Sequence, residues 1–143
     1  LMSQPPIVGL GLTRNYPSEV TFDDAWVSYV EKAYHPDLYL PVTGVVTEEK
    51  GGYFYREMVM KHNQHVVKEN IYVDKEKGEI RFVELPEQEI EIVNVLHKSP
   101  LSIEYFKRKV GGERVPWEIP AAMLEKVFDM KVEHALKETK KHQ

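Results

Sequence analysis

Two amphipathic helical segments enclose an unbroken run of strand-like segments, and this order constrains the fold more than any single motif in the chain. The early helix is predicted over residues 21–34. Phe22, Trp26, Tyr29, Val30 and Ala33 recur there on one helical face, and Thr21 with Asp24 reads as a capping box. The late helix is predicted over residues 120–139, with Met123, Val127, Met130 and His134 on one stripe and charges elsewhere. A closing helix laid across the concave face of a curved antiparallel sheet leaves room inside for an apolar ligand.

Between the helices the chain reads as hairpins. Residues 42–48 run into a Lys50-Gly51-Gly52 turn, and residues 53–61 then alternate in period two. Asn63-Gln64 closes a second hairpin onto residues 65–74, and Lys75-Glu76-Lys77-Gly78 hands over to residues 79–85. Residues 89–98 and 101–109 form the last pair around Ser99-Pro100, and residues 7–13 read as a first strand, for about seven strands in all. Residues 111–120 read as an irregular lead-in to the final helix. The expected architecture is α+β: a curved antiparallel sheet wrapped round a long C-terminal helix, with short helical structure after the first strand.

Composition excludes several classes of function. A chain of 143 residues is expected to be a single domain able to fold on its own core. With 42% hydrophobic and 29% charged residues it is an ordinary globule, and no apolar run reaches the roughly 20 residues of a membrane helix. The formal charge of -4 is interspersed along the chain, so no basic patch offers itself to nucleic acid. The absence of cysteine removes disulfides, thiolate catalysis and most structural zinc sites. Leu1 ahead of Met2 reads as a vector-derived scar, residues 1–6 are expected to be unordered, and without a secretory n-region and h-region the expected location is the cytosol.

No nucleophile or phosphate-binding motif is present. Gly9-Leu10-Gly11 lacks the third glycine and following helix of a dinucleotide fingerprint, Gly111-Gly112 has no phosphate-loop lysine after it, and no serine sits in a Gly-x-Ser-x-Gly setting. His62 and His65 flank a tight turn without a third ligand, so they read as a solvated hairpin tip rather than a metal site. Neither a metal nor another cofactor is expected. A homodimer is allowed by the edge strands, but no residue pattern indicates one.

Hairpin register selects the residues that face inward. If Asn63-Gln64 is a two-residue loop, Met60 opposes Val67, Met58 opposes Glu69 and Arg56 opposes Ile71, and directly opposed residues share a face. Phe54 and Val73 complete that face. Val73 against Ile80 adds Phe82 and Glu84, and the last hairpin adds Ile92, Asn94, Ile103 and Tyr105, with the faces of Glu84 and Asn94 depending most on register. Arg56 and Glu69 then lie diagonally across a strand pair, within reach of each other. They read either as a polar floor that orients a ligand or as a structural ion pair. Trp26, Met123, Val127 and Met130 sit at helical spacing that suits core packing as well as cavity lining, and His134 falls on the same late stripe. Trp117 stands just ahead of that helix. The expected ligand-binding set is therefore Trp26, Met58, Ile71, Phe82, Ile92, Asn94, Ile103, Trp117, Met123, Val127, Met130 and His134.

The order of elements resembles the START and birch-pollen-allergen helix-grip superfamily, SRPBCC, over roughly residues 7–139. Local text narrows this: Leu12-Thr13, Trp26 through Lys32-Ala33, Pro36 with Tyr39 and Pro41, Tyr55-Arg56-Glu57, Glu69, Asn94 and Ile103-Glu104-Tyr105 form a series that resembles its AtaL-like branch. The resemblance implies a helix-grip fold with an internal cavity, and it transfers no catalytic signature. Two functions are compatible with it. One is binding of a small hydrophobic molecule, such as a lipid, polyketide or aromatic metabolite. The other is a polyketide cyclase or dehydratase type of enzyme, working without metal or nucleotide, in which Glu69, helped by Arg56 and Tyr105, moves a proton.

Overall fold

The computed structural model describes residues 4–143, so what is expected of residues 1–3 lies outside the described residues. Nine strands and two helices follow in the order β1 (Ile7–Gly9), β2 (Leu12–Asn15), α1 (Phe22–Tyr34), β3 (Val42–Glu49), β4 (Phe54–Met60), β5 (Val66–Asp74), β6 (Glu79–Glu84), β7 (Ile90–Lys98), β8 (Leu101–Lys109), β9 (Trp117–Pro120) and α2 (Ala121–Lys141). A 3-10 turn, Pro36–Leu38, follows α1. Strands β2 to β8 form one antiparallel sheet in the order β2-β8-β7-β6-β5-β4-β3. This is the curved seven-stranded sheet with a long closing helix that the order of segments predicts, a helix-grip fold. Among the described residues no helix is long and apolar enough to cross a membrane.

Alternation places Phe54, Ile71, Ile80, Phe82, Ile103 and Tyr105 on the concave face, where they share one core with Ala25, Tyr29 and Ala33 of α1 and with Leu124, Val127 and Phe128 of α2. Phe128 meets the Tyr105 ring edge-on at 5.0 Å. Helix α1 runs antiparallel to α2. The Asp24 carboxylate accepts the Thr139 hydroxyl at 2.9 Å at one end, and His134 faces Glu31 at 3.7 Å nearer the other. Thr21 caps α1 by accepting the Asp24 N–H at 3.2 Å, but the capping box is only half formed, because the Asp24 side chain is committed to Thr139 and to His142 at 3.0 Å.

Four sequence expectations change. The predicted first strand is two strands broken at Gly9, which adopts φ +67°. The lead-in before the last helix contains β9, which pairs with β1 rather than lying irregular. The β4–β5 loop spans residues 61–64 instead of two residues: Met60 N–H donates to His65 O at 2.9 Å, and Gln64 sits at φ 59°. The buried stripe of α2 is Leu124, Val127, Phe128, Lys131, Ala135 and Thr139, rotated from the predicted one, so Met130 is 39% exposed.

Gly78 closes the β5–β6 hairpin at φ +66°, and a Cβ there would lie 2.4 Å from the Leu96 carbonyl oxygen. Neither backbone has room to yield, since Leu96 N–H already donates to Gly78 O at 2.7 Å. Gly78→Ala is expected to lower stability by about 2 kcal/mol, read as a reduced urea midpoint at unchanged slope.

Candidate ligand cavity

A cavity of about 260 Å³ lies between the concave face, the C-terminal turn of α1, the Leu40-Pro41 segment, β9 and the start of α2. Its buried end is polar: Lys32, Arg56, Glu69, Asn94 and Tyr105, with Phe82, Met58, Leu124 and Val127 around them. Toward the outside it is lined by half-buried Met60, Val67, Ile92, Trp117, Ile119 and Met123, and by exposed Glu84. A larger depression of about 570 Å³ beside β3 is lined by exposed Thr43, Gly44 and Thr47. It lacks the convergent buried polar groups that mark the inner cavity.

Arg56 stands directly opposite Glu69 in the β4–β5 ladder, not diagonal to it, because the longer loop shifts the register by two residues. An even shift preserves every facing, which is why both still point inward. Nη2 of Arg56 donates to Glu69 Oε1 at 2.7 Å, and its Nη1 donates to the carbonyl oxygens of Ala33 at 2.9 Å and Lys32 at 3.4 Å. The guanidinium thus occupies the C-terminal end of α1, where the helix dipole favours a cation. It also packs 5.1 Å from the Phe82 ring centre.

Lys32 is the group that sequence reasoning missed. Only 6% exposed, it holds its Nζ 4.8 Å from the Phe82 ring centre and 5.2 Å from that of Tyr105. Burial, and secondarily the neighbouring Arg56, pull its pKa down to about 7, with Glu69 opposing. Its signal was spacing: Ala25, Ser28, Tyr29 and Lys32 share the buried stripe of α1, and charge alone argued against it. Lys131 is likewise buried on α2, 3.4 Å over the Tyr29 ring and outside the cavity lining. Desolvation, with Lys32 second, drives its pKa well down.

Of the expected ligand-binding set, Met58, Phe82, Ile92, Asn94, Trp117, Met123 and Val127 line the cavity, together with Arg56, Glu69 and Tyr105. Ile71 and Ile103 are sealed in the core beneath it, and Trp26 stacks between Phe22 and Tyr29 at 5.9 and 5.6 Å. Met130 faces outward. His134 turns to Glu31 because the buried stripe of α2 runs through Lys131 and Ala135 instead. Val73, expected inward, is 40% exposed at the end of its strand. His62 and His65 are exposed at the hairpin. Among the described residues, Asn94 Nδ2, Tyr105 Oη and Arg56 Nε are buried without a hydrogen-bond partner.

No protein-family model and no curated protein matches the chain. Solved structures do. The chain is similar to TTHA0849 from Thermus thermophilus, at 14% identity and a TM-score of 0.50, covering 92% of this chain and 94% of that one. It is also similar to the di-domain ARO/CYC BexL from the BE-7585A biosynthetic pathway, at 12% identity and a TM-score of 0.51, covering 96% of this chain and 50% of that one. The Zhui aromatase/cyclase from a Streptomyces strain matches at 13% identity and a TM-score of 0.45, over 95% of this chain and 92% of its own. The first two likenesses establish a shared helix-grip fold. The chain spans about half the length of BexL.

Proposed function

We propose that the protein binds a small, mostly apolar metabolite whose oxygen atoms meet the polar end of the cavity. The observation that carries this reading is the set of unpartnered donors, Asn94 Nδ2 and Tyr105 Oη, at the polar buried end of a cavity whose outer walls are mostly apolar. Buried donors without partners are costly, and a ligand carbonyl or hydroxyl would satisfy them. Size narrows the ligand. An apolar cavity of about 150 Å³ admits benzene, so about 260 Å³ suits one or two rings or a short acyl chain better than a long lipid. The BexL likeness in fold and the AtaL-like local text support membership of the SRPBCC superfamily. The same donors favour a second reading, a cyclase or dehydratase, since they exceed what the side chains need to satisfy one another.

Native mass spectrometry of the purified protein tests for a retained small molecule, and calorimetry with beta-naphthol tests the cavity. Met123→Trp places an indole in the half-buried outer part of the cavity. It is expected to weaken naphthol binding at least tenfold, about 1.4 kcal/mol, while the melting temperature holds. Unchanged affinity in that variant would place binding elsewhere.

A further inference from the structure

We propose that Lys32 is an amine nucleophile that captures a carbonyl group of the cavity's ligand as an imine, which makes the ligand class an aldehyde or ketone. The proposal rests on the cavity-binding reading above and adds covalent chemistry to it. Lys32 is part of the cavity lining, and its Nζ lies between the faces of Phe82 and Tyr105. The influences that act on it are burial, Arg56 and Glu69, with no side-chain hydrogen bond among them. A lysine needed only for packing would be served better by methionine, since cation–π contact offsets only part of the cost of burying an ammonium. A desolvated amine beside another cation is the arrangement that frees a lysine lone pair near neutral pH. The guanidinium of Arg56 is held there by bonds to the carbonyls of Lys32 and Ala33.

The step balances without an oxidant or reductant. The Nζ lone pair forms a C–N bond to the carbonyl carbon as the C=O π pair moves to oxygen, and the proton lost by nitrogen is taken up by that oxygen to give a carbinolamine. The hydroxyl then leaves as water with a second proton, nitrogen supplies the C=N bond, and the overall change is amine plus carbonyl to imine plus water. The protonated imine withdraws electrons from the neighbouring carbon, so a bound ketone becomes acidic there and competent for carbon–carbon bond formation. Lys131 provides a control inside the same molecule: it is buried as well, but it is sealed over Tyr29 and does not line the cavity.

The full chain is incubated with beta-naphthaldehyde and sodium cyanoborohydride at neutral pH, and lysines are mapped by peptide mass spectrometry. Reductive naphthylmethylation is expected at Lys32 at least ten times faster than at any other lysine, and not at Lys131. It should be lost in Lys32→Arg and suppressed in Met123→Trp. Labelling spread over the exposed lysines, or unaffected by Met123→Trp, overturns the proposal. Parallel calorimetry with beta-naphthol separates the two readings. Naphthol binding without Lys32 labelling overturns imine capture and leaves the cavity reading standing, whereas failure of both overturns both.

Discussion

Arg56→Met is expected to destabilise the protein by about 3–5 kcal/mol, the range for removing one partner of a buried ion pair. Arg56 is 2% exposed and Glu69 6%, so neither charge has water to fall back on. Removing the guanidinium abandons the 2.7 Å bond to Glu69 and uncaps the carbonyls of Ala33 and Lys32 in the same stroke. Replacing both residues by methionine should recover much of the loss, because the orphaned carboxylate, not the missing attraction, dominates the cost. Urea denaturation of the two single variants and the double variant measures this. A loss under about 1 kcal/mol for Arg56→Met would remove the pair from the framework of the fold. Glu69→Gln then sorts the roles of the carboxylate. With Arg56 anchored to the end of α1, the expected outcome is a loss of about 3 kcal/mol with naphthol binding retained. An unchanged melting temperature with lost turnover or selective binding would instead make Glu69 functional.

Stability is expected to rise with pH from about 7 to about 10, the reverse of an ordinary acidic protein passing its optimum. The folded pKa of Lys32 is about 7 against 10.5 for a free side chain. Between those values the unfolded chain holds a proton that the folded chain has shed, so unfolding becomes harder by about 1.4 kcal/mol per pH unit. Lys131, driven well down by burial, acts with the same sign. The groups facing Lys32 are Arg56 from β4, Glu69 from β5, Tyr105 from β8 and Lys131 from α2. Above about pH 10 the sign reverses. Tyr29 and Tyr105 are held well above their ordinary value, first by burial, so the unfolded chain releases those protons sooner and gains stability relative to the fold. Thermal melts from pH 6 to 11 should therefore peak near about pH 9–10. Lys131→Met should raise the melting temperature at pH 7 and flatten the slope. A wild-type profile flat from pH 7 to 9 would mean that both lysines keep their protons in the fold.

Much of the concave face was readable because strand facing has period two. The β4–β5 loop is two residues longer than expected, yet Arg56, Met58, Val67 and Glu69 keep their inward aim, since an even slip moves partners without turning any side chain over. The β5–β6 and β7–β8 hairpins keep the expected register outright, with Val73 against Ile80 and Lys98 against Leu101, because their turn residues close loops of the expected length. Helix rotation had no such protection. On α2 the charge of Lys131 argued against the stripe that is in fact buried, and the stripe chosen instead carried Met130 and His134 out of the interior. On α1 the charge of Lys32 hid a cavity residue in the same way.

The chain by itself determined the order of elements, the inward set of the central strands and the single closing helix, because these follow from local periodicity and turn chemistry. Tertiary structure alone decided the rest. It paired β9 with β1 across more than a hundred residues, set the rotation of both helices, and placed two lysines among aromatic rings. Those outcomes depend on which surfaces meet, and a buried ammonium is tolerated only where the rings that shelter it have already been brought together.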